Sequence, residues 1–142
     1  MRTAMQPTSK PAVICSGITK SFGAADSRVM ALRGIDLTID AGEVMMLVGP
    51  SGCGKTTLIS IMAGILQADG GTCKVLGQDL SQLGNGEATD FRGRHIGFIF
   101  QSYNLLPTLS LVENVSIPLI VNGVDRQEAN RRAGDILGQM GL

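Results

Sequence analysis

One stretch constrains this chain more than any other: Gly49-Pro50-Ser51-Gly52-Cys53-Gly54-Lys55-Thr56. It matches G-x-x-x-x-G-K-[ST], the spacing of a phosphate-binding loop, or Walker A motif. An apolar run, residues 44–48, precedes it. Leu58, Ile59, Ile61, Met62, Ile65 and Leu66 follow it. Strand, glycine-rich loop and helix is the context that the motif requires. With 19 glycines in 142 residues, a chance match comes easily, so that context matters.

The residue types fit the chemistry of holding a triphosphate. Glycines let the backbone wrap closely and present its N–H groups without a Cβ in the way. The loop runs into a helix N-terminus, whose free N–H groups and positive dipole end attract an anion. Lys55 is placed to reach the β- and γ-phosphates, and the Thr56 hydroxyl to ligate Mg²⁺.

Bulk composition narrows the class. At this length the chain is one domain at most and can bury a core. Lys plus Arg and Asp plus Glu are both 12, for a formal charge of zero. A nucleic-acid binder would want a basic face, so none is expected as partner. No run of about eighteen apolar residues marks a transmembrane helix. Residues 1–11 are polar, lack a secretory signal and read as a disordered lead-in, with Pro7 and Pro11 as breakers. Cys15, Cys53 and Cys73 are odd in number and at no metal spacing, which fits reduced cytosolic thiols.

Along the chain, residues 12–15 and 18–22 read as short strands, 23–27 as a loop of small residues, and 29–32 as another strand. Ile35, Leu37 and Ile39 alternate with polar neighbours, a half-buried strand pattern. Residues 44–48 lack alternation and are expected to be buried on both faces of a parallel sheet. A helix apolar on most sides is expected over 54–67. Short strands over 72–76 and 78–80 flank a turn at Gly77. Residues 84–86 read as a loop, 87–94 as a weak helix, and 96–100 as a second apolar strand. Ser110 and Glu113 fit a capping box. The helix it opens is expected to kink or stop at Pro118. Asn122-Gly123 reads as a turn. Residues 125–140 form an amphipathic helix with Ala129, Ala133, Ile136, Leu137 and Met140 on one face, capped by Gly141.

Four pieces in this order give the chain a family resemblance. They are Lys20-Ser21-Phe22-Gly23, the stretch 31–37 with Ala41-Gly42-Glu43, the motif 49–57 (GPSGCGKTT), and Ile96-Gly97-Phe98-Ile99-Phe100-Gln101 with the following NLLPTLS and Glu113-Asn114-Val115. Together they resemble the ATP-binding subunits of ABC transporters, and the last piece is similar to the lipoprotein-releasing and macrolide-export group. The resemblance covers residues 12–142. It implies an α/β fold of P-loop NTPase type: a partial ABC-type ATPase domain with an N-terminal antiparallel β subdomain and a helical segment at the C-terminal end.

The resemblance also implies roles. Phe22 would stack on adenine, where the family more often carries Tyr; a plain core aromatic is the alternative. Gly49, Pro50, Ser51, Gly52, Cys53, Gly54, Lys55, Thr56 and Thr57 would cradle ATP. Gln101 would touch Mg²⁺ or the attacking water; the alternative is a polar strand end. Thr56 and Gln101 are thus the implied metal contacts, and Lys55 and Gln101 the only catalytic groups. Residues 103–109 would dock a transmembrane permease subunit, or else Leu105, Leu106 and Leu109 belong to the core. His95 would be a surface or hinge residue. The implied protein works as a pair of ATP-binding subunits and is cytoplasmic, peripheral on the inner face of the membrane through the permease.

The family's downstream motifs (L-S-G-G-Q, the Walker B aspartate with its catalytic glutamate, and a switch histidine) do not occur among these 142 residues. The expectation is a truncated chain that hydrolyses ATP weakly, forms no usual ATP sandwich, and leaves apolar surface bare beside residues 44–48. A nucleotide-binding module without turnover is the alternative. A small-molecule kinase would not explain IGFIFQ.

Overall fold

The computed structural model describes residues 10–24 and 27–142. The expected lead-in therefore lies mostly outside the described residues, and Pro11 already opens the first strand. The chain divides into two compact units, residues 1–88 and 89–142.

The first unit is built on an antiparallel sheet. β1 is Pro11–Phe22, β2 is Val29–Asp40, β3 is Gly70–Val75 and β4 is Gln78–Asp79, in the spatial order β2-β1-β3-β4. The two short strands expected over 12–22 are one strand. Its break is a bulge: Cys15 pairs with Leu37 and Ile18 with Ile35, so β1 spends one more residue than β2 between these pairs. The extra residue keeps Cys15 and Ile18 on the same buried side, at 2% and 0% exposure, although they are three apart. The stretches expected as separate strands at 29–32 and from Ile35 likewise join in β2, where Ile35, Leu37 and Ile39 are half-buried and Asp36 and Thr38 exposed.

Helix α1, Lys55–Met62, packs Leu58 and Ile61 onto this sheet. Each such burial is worth about 1.5–3 kcal/mol. The helix is shorter than expected, because Gly64 takes a left-handed φ of 67° and turns the chain out. The helix is not covered all round: Ile59 is exposed, as is Ile65 just beyond the helix. Between β3 and β4 the chain reverses over Leu76 and Gly77, both at positive φ.

Residues 44–48 correct a clear expectation. They form no strand, and Val44, Met46 and Val48 are 90%, 81% and 87% exposed. Residues 96–100, expected as the second apolar strand, are also unpaired, with Ile99 98% exposed. A strand is held by inter-strand hydrogen bonds, and among the described residues neither segment has a ladder partner. The bare apolar surface is therefore that of these segments themselves, rather than surface beside a strand at 44–48 as expected.

Helix α2, Asn85–His95, spans the boundary and takes in Asn85 and Gly86, which were expected to be loop. In the second unit, α3 (Leu111–Val121) packs against α4 (Arg126–Gln139). Ser110 caps α3 with the full reciprocal box: its hydroxyl accepts from the Glu113 N–H, and the Glu113 carboxylate accepts from the Ser110 N–H. Pro118 does not stop α3, which runs one turn past it. The proline removes one intrahelical donor, while capping and contact with α4 hold the rest. Asp125 caps α4 by accepting from Gln127 and Glu128. Ala129, Ala133 and Leu137 are buried as expected, but Ile136 and Met140 are exposed. The small alanines let α3 approach closely and narrow the buried stripe. Gly141, at φ 79°, follows the helix end.

Candidate functional site

The site forms where the sheet's first hairpin meets the start of α1. A cavity of ≈ 580 Å³ is lined by Phe22, Ala31, Ser51, Gly52, Gly54, Lys55, Thr56 and Thr57. This volume lies within the range of small-molecule sites. Sequence reasoning linked Phe22 to the glycine loop only through a family resemblance; the fold brings them to one hollow.

The loop is shaped by its packing. Gly54 takes φ 93°, and a Cβ there would lie 2.6 Å from the Ala31 carbonyl oxygen of β2. Both the dihedral and the contact exclude a side chain. Gly54 is also the N-cap of α1, and no side chain caps that end. The first-turn N–H groups of α1 therefore sit beside the cavity without a side-chain acceptor, at the positive end of the helix.

Lys55 Nζ donates to the carbonyl oxygens of Gly49 and Pro50 at 2.8 and 2.7 Å and lies 3.5 Å from Cys53 Sγ. Gly49, Pro50 and Cys53 do not line the cavity; the two carbonyls hold the lysine, and Cys53 is exposed on the loop. Thr56 and Thr57 stand in the first turn of α1 on the cavity wall. Among the described residues, no group of three or more His, Cys, Asp or Glu gathers to hold a metal. The donor set at the cavity is hydroxyl and backbone, which suits a cation that arrives with a phosphate ligand's own oxygens.

A cluster at the end of β1 has no counterpart in any local motif. Asp69 accepts from Lys20 Nζ at 2.7 Å and from the Ser21 N–H at 2.8 Å, and Arg28 lies 3.8 Å away. Bonding to Lys20, then to the Ser21 N–H, holds the Asp69 carboxyl below its ordinary range. Lys20 Nζ also sits 5.9 Å from the centroid of the Phe22 ring. These residues lie 48 and 49 positions apart in the chain, so no local signal could have paired them.

Gln101 belongs to the second unit, exposed in the irregular segment after residue 100. Tyr103, Leu105 and Leu106 are exposed and Leu109 is half-buried. A residue that sequence reasoning gave no role holds this segment. Asn114 Oδ1 accepts from the Leu106 N–H, and its Nδ2 donates to the carbonyls of Leu106, Leu109 and Ser110. His95 ends α2 with its ring 4.8 Å from that of Phe91. Among the described residues no helix is long and apolar enough to cross a membrane.

Comparison with known proteins gives a consistent picture. The ABC transporter family matches residues 32–142. The lipoprotein-releasing system ATP-binding protein LolD of Bacteroides thetaiotaomicron is 48% identical over 126 residues, covering 89% of this chain and 56% of that protein. The macrolide export ATP-binding/permease protein MacB of Shigella flexneri is 40% identical over 132 residues, covering 93% of this chain and 20% of that protein. Among solved structures, the dimeric post-hydrolysis state of the ATP-binding cassette MJ0796, bound to ADP and Pi, superposes with a TM-score of 0.83 at 32% identity. It covers 92% of this chain and 57% of that one. The chain thus spans little more than half the length of the LolD relative it matches.

Proposed function

The chain belongs to the ABC transporter family, as part of an ATP-binding subunit, and from that premise we propose that its cavity binds Mg·ATP to power export. The observation that carries the reading is the ≈ 580 Å³ cavity, where an aromatic ring, the glycine loop and an uncapped helix start share one wall. The ring offers a stacking face for adenine, and the loop and helix start offer donors for phosphate. Phosphate oxygens would take Lys55 Nζ from the Gly49 and Pro50 carbonyls that hold it. The Thr56 hydroxyl would hold Mg²⁺, and Gln101 would meet the metal or the attacking water. A Mg²⁺ held at Thr56 would supply charge neutralisation for the phosphate oxygens.

In the whole protein, hydrolysis would drive export through a transmembrane permease, from a pair of ATP-binding subunits at the inner face of the membrane. The names of LolD and MacB and the dimeric cassette support this reading. The exposed residues Tyr103, Leu105 and Leu106 would contact the permease.

The test is titration of the chain with Mg·ATP beside Lys55→Ala. One lost charge-assisted bond predicts roughly a 10- to 100-fold weaker affinity. Equal affinities would remove the reading. Phosphate release at saturating Mg·ATP separates an ATPase from a binding module without turnover.

A further inference from the structure

We propose that Asp69 is a positioning residue for Phe22, setting how tightly the cavity holds a nucleobase as distinct from a phosphate chain. The proposal rests on the nucleotide reading above.

Phe22 is the last residue of β1 and is 46% exposed, so packing alone does not fix its ring. The fixing falls to the backbone that carries it. Asp69 ties this backbone from several sides. Its N–H donates to the Thr19 carbonyl at 2.9 Å. One carboxylate oxygen accepts from the Ser21 N–H, immediately before Phe22, at 2.8 Å. The other accepts from Lys20 Nζ at 2.7 Å, and that ammonium stands over the Phe22 ring. Arg28, at 3.8 Å, brings in the chain just before β2, on the far side of the loop that follows Phe22. Phe22 itself pairs with Val29 across that loop.

Asp69 lies outside the cavity wall and shares no bond with the glycine loop. Its effect should therefore fall on the base and spare the phosphates. A general structural role would weaken both ligands alike.

The experiment titrates the full chain with Mg·ATP and with Mg·tripolyphosphate, which has no base. The variants are Phe22→Ala, Asp69→Ala, Asp69→Asn and the double Phe22→Ala/Asp69→Ala. Loss of one stacked base predicts about tenfold weaker ATP binding for Phe22→Ala. Asp69→Ala should lose about three- to tenfold for ATP, with tripolyphosphate within about twofold of the parent. Asp69→Asn keeps an acceptor for the Ser21 N–H and should lose less. The double variant should lose no more than Phe22→Ala alone, because both act through one ring. If Asp69→Ala does not fold, Asp69→Asn carries the comparison. The proposal is overturned if Asp69 variants weaken both ligands equally or neither, or if the two single losses multiply in the double variant. A parent chain that binds tripolyphosphate as well as ATP also overturns it, while leaving the phosphate loop intact. A parent that binds neither overturns the nucleotide reading as well.

Discussion

β1 and residues 44–48 are apolar stretches of the same unit, and they end in opposite states. β1 is flanked by β2 on one edge and β3 on the other, and it buries Cys15 and Ile18. Residues 44–48 carry Val, Met and Leu throughout, yet three of the five side chains are almost fully exposed. Apolar composition gives a strand faces to bury. A partner ladder decides whether it is a strand at all, since each unpaired N–H and C=O must otherwise bond to water. The helices offer a third case. Their hydrogen bonds are internal, so α3 and α4 form from local signals and need a neighbour only for one face.

The comparison can be broken most directly at Ile18. Ile18→Ala should cost about 2–5 kcal/mol in urea unfolding, because it empties a fully buried site. A similar cost for Met46→Ala would refute the contrast drawn here. The local nature of α3 gives the next largest effect. Ser110→Ala removes one half of the capping box and should cost about 1 kcal/mol, read in the same way. Val44→Thr with Val48→Thr should shift stability by less than about 0.5 kcal/mol. Light scattering should fall in that variant, because it removes exposed apolar surface from an unpaired backbone. Unchanged scattering would mean that these residues are covered in solution.

The smallest effect is electrostatic. Hydrogen bonds from Arg131, then Arg132, pull the Glu128 carboxyl down to about 2. A depressed folded value means that the contribution is present above the unfolded value of about 4.3. It is lost as pH falls from there towards about 2. Circular dichroism at 222 nm should show this loss, and Glu128→Gln should lack it. The groups are exposed, so high salt should shrink the difference. A decline of equal size in Glu128→Gln would assign it to other carboxylates.

These contrasts also explain what could be read in the residues alone. The capping box at Ser110, the glycine at 141 and the alternation in β2 are local rules, and each is found in place. The turn at Gly77 belongs with them. The larger failures are long-range, whereas the early end of α1 at Gly64 and the helical Asn85 and Gly86 are local misses. Residues 44–48 and 96–100 needed partners that no local pattern can supply. The bulge that merges 12–22 into one strand shows only when β2 is laid beside it. Within the site, the glycine loop announced itself by spacing, whereas Asp69 acts across nearly fifty residues and carries no motif. Ile136 and Met140 follow the helical period faithfully, but the packing of α4 leaves both exposed.

Gly54 has a further consequence. Its missing side chain is required by the Ala31 carbonyl of β2, whatever the cavity holds. A lineage that had abandoned nucleotide altogether would still be unable to drift at this position without disturbing the sheet. Retention of Gly54 is therefore poor evidence that a relative remains in use as an ATPase. Lys55 and Thr56, whose side chains answer to the cavity, are the positions where disuse would first leave its mark.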